Sequence, residues 1–200
     1  IGEQESVPQA VSYLKQHKGY EDLFEGYNEA DHHRGQIEKM LRLTVYRDFS
    51  KLYRFANVEQ RKFLALYFKR YEVSVIKECL NTVFDHRDVV LNLSIFDEFF
   101  NKHSQLDINL LASSRTIEEL IANLKGTEYY APLSQLADIE RPTLFDYEMT
   151  LDLYYFAQMW KDRSKVVTKR DLEELTAAWG SKFDMMYLQW IYRSKRYYLM

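Results

Sequence analysis

The chain repeats itself. Shifted by 110 residues against its own sequence, it places Ser6-Val7 on Thr116-Ile117, Gln9 on Glu119, Val11 on Ile121 and Leu14-Lys15 on Leu124-Lys125. The register continues with Tyr20 on Tyr130, Leu23 on Leu133, Glu38 on Glu148, Leu41 on Leu151, Leu43 on Leu153 and Tyr46 on Phe156. Two further residues in the second copy, near 161–168, then bring Ala65 to Ala177, Tyr67 to Trp179, Tyr71-Glu72 to Phe183-Asp184 and Ile76 to Leu188. A period of this length makes one helical unit, used twice, the element from which the architecture is built. The two units are expected over 1–87 and 88–200, with 6–84 and 116–196 superposing as helical bundles. By the same offset Ile1 matches Leu111, so the first copy lacks a counterpart of residues 88–110 and is the incomplete one.

Helix is the secondary structure that each unit calls for. Ile37, Leu41, Val45, Phe49 and Leu52 recur at the spacing of one helical face, as do Val73, Ile76, Leu80 and Val83, and Met185, Leu188 and Tyr192. Six glycines and three prolines among 200 residues leave few breakers. Ser6 to Gln9, Thr116 to Glu119 and Thr168 to Asp171 have capping-box spacing, in which side-chain oxygens satisfy the orphan amides of a first turn. The spacing predicts helices near 6–17, 35–55, 59–69, 72–84, 95–103, 116–125, 142–163, 169–179 and 184–198, and no strand, so the fold class is all-α. Short breaks at Lys69-Arg70 and Gly180-Ser181-Lys182 precede the aromatic-acid pairs, which makes Glu72 and Asp184 candidates for helix starts, where a carboxylate meets the positive end of the helix dipole.

Composition excludes several functions. A net charge of −3 with mixed signs gives no concentrated basic surface for nucleic acid. Charges interrupt every apolar run within about ten residues, well short of the roughly 18 that a membrane span needs. No G-x-x-x-x-G-K-[ST] loop is present to cradle a triphosphate. His17, His32, His33, His86 and His103 lack a metal-binding helical spacing, and Asp31-His32-His33 reads as a solvated turn. The single cysteine, Cys79, excludes an internal disulfide and is expected as a small buried apolar residue. No acid and base are singled out by spacing, so no catalytic, cofactor or metal residue is assigned. One concentrated basic patch stands at the end of the second copy, Arg193, Lys195 and Arg196 among Tyr192, Tyr197 and Tyr198. Its cations can cover apolar surface and meet the helix dipole, or Tyr192, Arg193, Lys195, Arg196 and Tyr197 can form a docking surface.

The stretches RGQIEKMLRLTVYRDFSKLYRF, LALYFKRYEVSVIKECL, TIEELIANLKGTEYYAPL and WGSKFDMMYLQWIYRSKRYY resemble the C-type central-stalk subunit of bacterial and archaeal V/A-type rotary ATPases, the counterpart of the d-type subunit of the eukaryotic V-ATPase. The likeness runs through nearly the whole chain and rests on order and spacing in both copies. It implies a funnel of three similar helical units about a pseudo-threefold axis, of which two are present, so a fragment of a longer subunit or a divergent short relative is expected. It further implies a rotor connector without catalytic residues or cofactor. Its partners would be the central shaft and the membrane proteolipid ring, at the cytoplasmic face of a bacterial membrane. The alternative is a helical-repeat adaptor for some other protein.

Overall fold

The computed structural model describes residues 4–24, 34–85 and 91–198, and among them helices are the only regular structure. Asp31, His32, His33 and His86 lie outside the described residues. The chain divides into two compact units, Ile1–Phe55 and Ala56–Met200. The boundary expected from the internal comparison lies near residue 87, whereas the packing division falls at 55/56, ahead of a long helix that packs against elements following it.

Unit Ile1–Phe55 holds α1 (Val7–Lys15), a 3-10 turn at Asp22–Phe24, and α2 (Arg34–Phe55). Ser6 caps α1 by accepting from the Gln9 amide, and the Gln9 side chain accepts in return from the amide of Glu5, one residue before the cap. Pro8 fits this first turn because the amide it lacks would have had no partner there. Val11 and Leu14 from α1, Leu23 and Phe24 from the turn and Ile37 from α2 form a small core, with Tyr20, Met40 and Leu41 against it. Phe49 and Tyr46 of α2 are also buried, whereas Val45 and Leu52 are exposed, so only part of the predicted stripe points inward.

Unit Ala56–Met200 opens with α3 (Val58–Phe84), followed by the short helices α4 (Asp97–His103), α5 (Ile108–Ser113), α6 (Ile117–Asn123) and α7 (Tyr130–Ser134). Two long helices complete it, α8 (Leu144–Val166) and α9 (Lys169–Arg193), the second running on into a π-helical turn at Ser194–Tyr198. Thr116 caps α6 as Ser6 caps α1, and Glu119 reaches back to the amide of Arg115 just as Gln9 reaches Glu5. Thr143 with Asp146 and Asn57 with Gln60 form full capping boxes. At Thr168 the hydroxyl instead donates to the Asp171 carboxylate at 2.6 Å, and no backbone amide is capped. The chain leaves α6 through Gly126 at φ +88°, a left-handed conformation that suits a residue without Cβ.

The expected breaks in α3 and α9 do not occur. Lys69 and Arg70 are good helix formers, so charge alone does not interrupt α3. In α9, Gly180 costs about 1 kcal/mol relative to Ala but does not stop the helix, whose Trp179 and Phe183 are buried on either side of it. Glu72 and Asp184 are therefore interior residues of these helices rather than starts.

The centre of the unit is the packing of α3 and α9 on α8, with α5 and α6 also against α3. Val73, Val75, Ile76 and Leu80 of α3 are buried, as are Leu151, Tyr155, Phe156 and Met159 of α8. An aromatic cluster closes the α4 end, where Phe68 lies 5.0 Å from Phe99 and 5.7 Å from Phe100, ring centre to ring centre. Phe183 lies 4.4 Å and Trp190 5.8 Å from Phe156, which fixes the buried side of α9.

Candidate docking surface

Polar side chains tie α8 to both long helices. Lys77 on α3 donates to Asp152 on α8 at 2.5 Å, with both side chains largely buried. Burial holds the Asp152 carboxyl above the usual aspartate range, and the adjacent ammonium only partly offsets this. One turn away, Glu148 accepts from the Asn81 amide of α3 at 3.2 Å and pairs with Arg193 of α9 at 3.6 Å. A single carboxylate of α8 thus holds a residue from each neighbouring helix.

Glu72 makes a second tie. Its carboxylate accepts from the Ser104 hydroxyl and from the Tyr129 hydroxyl, the latter at 2.6 Å, binding α3 to the segments before α5 and α7. Burial raises the carboxyl above the usual glutamate range, against the two hydrogen bonds that favour its charged form. Beside it Glu128 pairs with Lys69 and accepts from the Tyr154 hydroxyl at 2.7 Å. Lys69, Glu72, Lys102, His103, Ser104 and Tyr129 line a cleft of about 450 Å³ here. Burial, and then Lys102, lowers the His103 pKa below the usual histidine range. Among the described residues no three of His, Cys, Asp and Glu gather to hold a metal ion. Glu72 thus ties α3 to two other segments, at a place and with partners that the sequence pattern does not indicate.

The basic end divides. Arg193 is half-buried, paired with Glu148, its guanidinium 5.2 Å from the centre of the Phe145 ring. It therefore fastens α9 to α8. Tyr192, Lys195, Arg196 and Tyr197 are exposed, and Tyr192 and Tyr197 meet edge to face at 6.4 Å. The stripe of Met185, Leu188 and Tyr192 faces outward, contrary to a core assignment, because α9 is apolar on two sides and uses the side of Trp179, Phe183 and Trp190 to pack. Ile191 joins the outward stripe, giving four exposed apolar residues along neighbouring turns of one helix. A continuous apolar face of this kind is the mark of an interaction surface. Asp184, exposed beside it, belongs to the same surface.

A geometry of helix clamps and an open apolar face suits a part that is assembled with others. The family model for the ATP synthase (C/AC39) subunit matches residues 1–200. The chain belongs to that family. Membership places it among the subunits of rotary ATPases, in agreement with the resemblance carried by its sequence. No curated protein and no solved structure matches the chain. Among the described residues no helix is long and apolar enough to cross a membrane.

Proposed function

We propose that the chain is a non-catalytic connector in the central stalk of a V/A-type rotary ATPase, joining the rotating shaft to the membrane proteolipid ring. The observation that carries this reading is the family match over the whole of residues 1–200. The physical support is stiffness. A connector transmits torque only if its helices do not slide past one another under load, and close-packed interiors deform little. In the unit Ala56–Met200, α8 is held on two sides by buried aromatic packing and by the pairs Lys77–Asp152, Asn81–Glu148 and Arg193–Glu148. The part itself makes and breaks no bond; it couples ATP turnover in one place to proton or sodium movement in another. It sits at the cytoplasmic face of the membrane and reaches the ring through protein contacts.

The test is reconstitution. An ATP-hydrolysing head with its shaft and the proteolipid ring are combined with and without this chain, and ATP turnover and ion uptake into vesicles are measured together. The connector reading expects turnover without ion uptake when it is omitted and coupled uptake when it is restored. Full coupling in its absence, or its failure to bind either shaft or ring, would overturn the reading.

A further inference from the structure

Within the unit Ala56–Met200, α3 and α9 both pack on α8, and two contacts fix how they lie. The Phe63 ring of α3 lies nearly parallel to that of Trp179 of α9, 6.1 Å between centres. Further along, Glu148 of α8 accepts from Asn81 of α3 and pairs with Arg193 of α9. The two helices therefore run side by side in the same direction. Between those contacts stand Arg70 on α3 and Lys182 on α9, both reaching solvent. Lys182 is near enough to Arg70 that the guanidinium charge, after burial, lowers its pKa.

Aromatic rings hold Arg70 in place. Its guanidinium lies 5.2 Å from the centre of the Tyr67 ring and 5.8 Å from that of Tyr71, and it donates to the Tyr67 hydroxyl. A guanidinium has more N–H donors than one hydroxyl can take. Among the described residues no carboxylate pairs with Arg70 or Lys182, and the one acid that bears on Lys182 is Asp152, already engaged by Lys77. Tyr155 of α8 completes the group. Its side chain is only 5% exposed, its hydroxyl makes no hydrogen bond among the described residues, and the groups that bear on it are Arg70, Tyr67 and Tyr71 of α3 and Asp152 of its own helix. A hydroxyl so placed calls for an oxygen partner from outside the protein.

We propose that Arg70, Lys182 and the hydroxyl of Tyr155 bind a phosphate group, with the Tyr67 hydroxyl, which accepts from Arg70, donating its own proton to the same ligand. The class follows from charge and from donor geometry. Lys77 and Asp152 offset each other, so Arg70 and Lys182 leave an excess of positive charge at this place. A carboxylate has too few oxygens to meet a guanidinium fork, an ammonium and hydroxyls from three helices together, whereas a tetrahedral phosphate presents acceptors in all of these directions. A bound phosphate also offsets the repulsion between Arg70 and Lys182. The site lies within one packing unit and does not rest on the rotary ATPase reading.

Isothermal titration calorimetry of the full chain with inorganic phosphate, at low and high salt, is the experiment. Saturable binding that weakens as salt rises is expected. Arg70→Gln and Lys182→Gln should each weaken it by about tenfold or more, the effect of one charge-assisted hydrogen bond, and Tyr155→Phe by about fivefold. Lys165→Gln, at an exposed cation elsewhere on α8, should leave it unchanged. Near-UV circular dichroism checks that each variant is folded; Arg70→Lys, which keeps the charge and loses the fork, stands in for an Arg70→Gln chain that is not, and should also weaken binding. Inorganic phosphate and a lipid phosphate share this chemistry, and sedimentation with phosphatidylcholine vesicles, with and without phosphatidic acid, separates them. Sedimentation that needs phosphatidic acid and is lost in Lys182→Gln names the headgroup as the source, and its absence names the soluble anion. A wild-type chain that does not bind inorganic phosphate, binding that folded Arg70→Gln and Lys182→Gln chains retain in full, or an equal loss in Lys165→Gln would each overturn the proposal.

Discussion

Replacing Lys77 by Met removes the cation from a buried pair and leaves the Asp152 carboxyl among apolar neighbours. The side chains are only 22% and 12% exposed, and the atoms approach to 2.5 Å. At about 4 Å between charge centres and an effective dielectric of about 20, their attraction is roughly 4 kcal/mol. Desolvation opposes it, and the balance is visible in Asp152, whose carboxyl sits above the usual range in spite of its partner. The intact pair therefore adds little net stability, whereas breaking it from one side costs about 3 kcal/mol, the lower end for a buried pair because Lys77 retains some solvent contact. With the ammonium gone, the carboxyl pKa rises further, so the native state binds a proton that the unfolded chain releases, and the loss grows as pH rises through this window. Urea unfolding of Lys77→Met between pH 4 and 8 should show the full deficit at the alkaline end and a shrinking one toward pH 4. The double variant Lys77→Met with Asp152→Leu should recover most of the stability at neutral pH. A deficit that is the same at every pH, or a double variant as unstable as the single, would refute the account.

Phe183→Ala should cost about 3–5 kcal/mol in the same assay, since it empties the contact with Phe156 and Trp160, whereas Tyr197→Ala, at an exposed position, should change stability by no more than about 0.5 kcal/mol. Gly126→Ala should destabilise by about 1–2 kcal/mol because its φ of +88° disfavours a Cβ, while Gly180→Ala should stabilise by about 0.5–1 kcal/mol, its Cβ meeting only the Trp160 ring at 3.9 Å. For Glu72 the raised carboxyl pKa means stability present in acid and lost as pH rises from the ordinary glutamate range through the raised value; Glu72→Gln should remove that slope, measured by thermal unfolding across pH 4 to 7.

The helical regions and the caps at Ser6 and Thr116 are legible in the sequence because those signals are local, a period of 3.6 and an oxygen three residues from an amide, whereas the cap expected at Thr168, the breaks expected within α3 and α9, and the short helices α5 and α7 are not. Longer-range placement is not legible either. Glu72 resembles a cap because it follows two cations, but its place is decided by Ser104 and Tyr129, which lie 32 and 57 residues away in sequence. The same limit governs α9. With Trp179, Phe183 and Trp190 on one side and Met185, Leu188 and Tyr192 on another, periodicity finds both stripes and cannot say which one α8 takes. Arg193 stands in sequence among exposed cations, and it is the carboxylate of Glu148, brought in by α8, that draws it inward.

Cys79 gives the chain an experimental handle. It is the one thiol in 200 residues, it is buried in α3, and burial pushes its pKa up to about 12, with Glu78 adding to the effect. The thiolate that reacts with alkylating reagents is therefore scarce at neutral pH and shielded from them. Cysteines placed on the surface can be labelled with spin or fluorescent probes without first replacing the native one. Reaction at Cys79 itself then becomes a clock for the opening of the α3 layer, counting excursions that expose the centre of the unit.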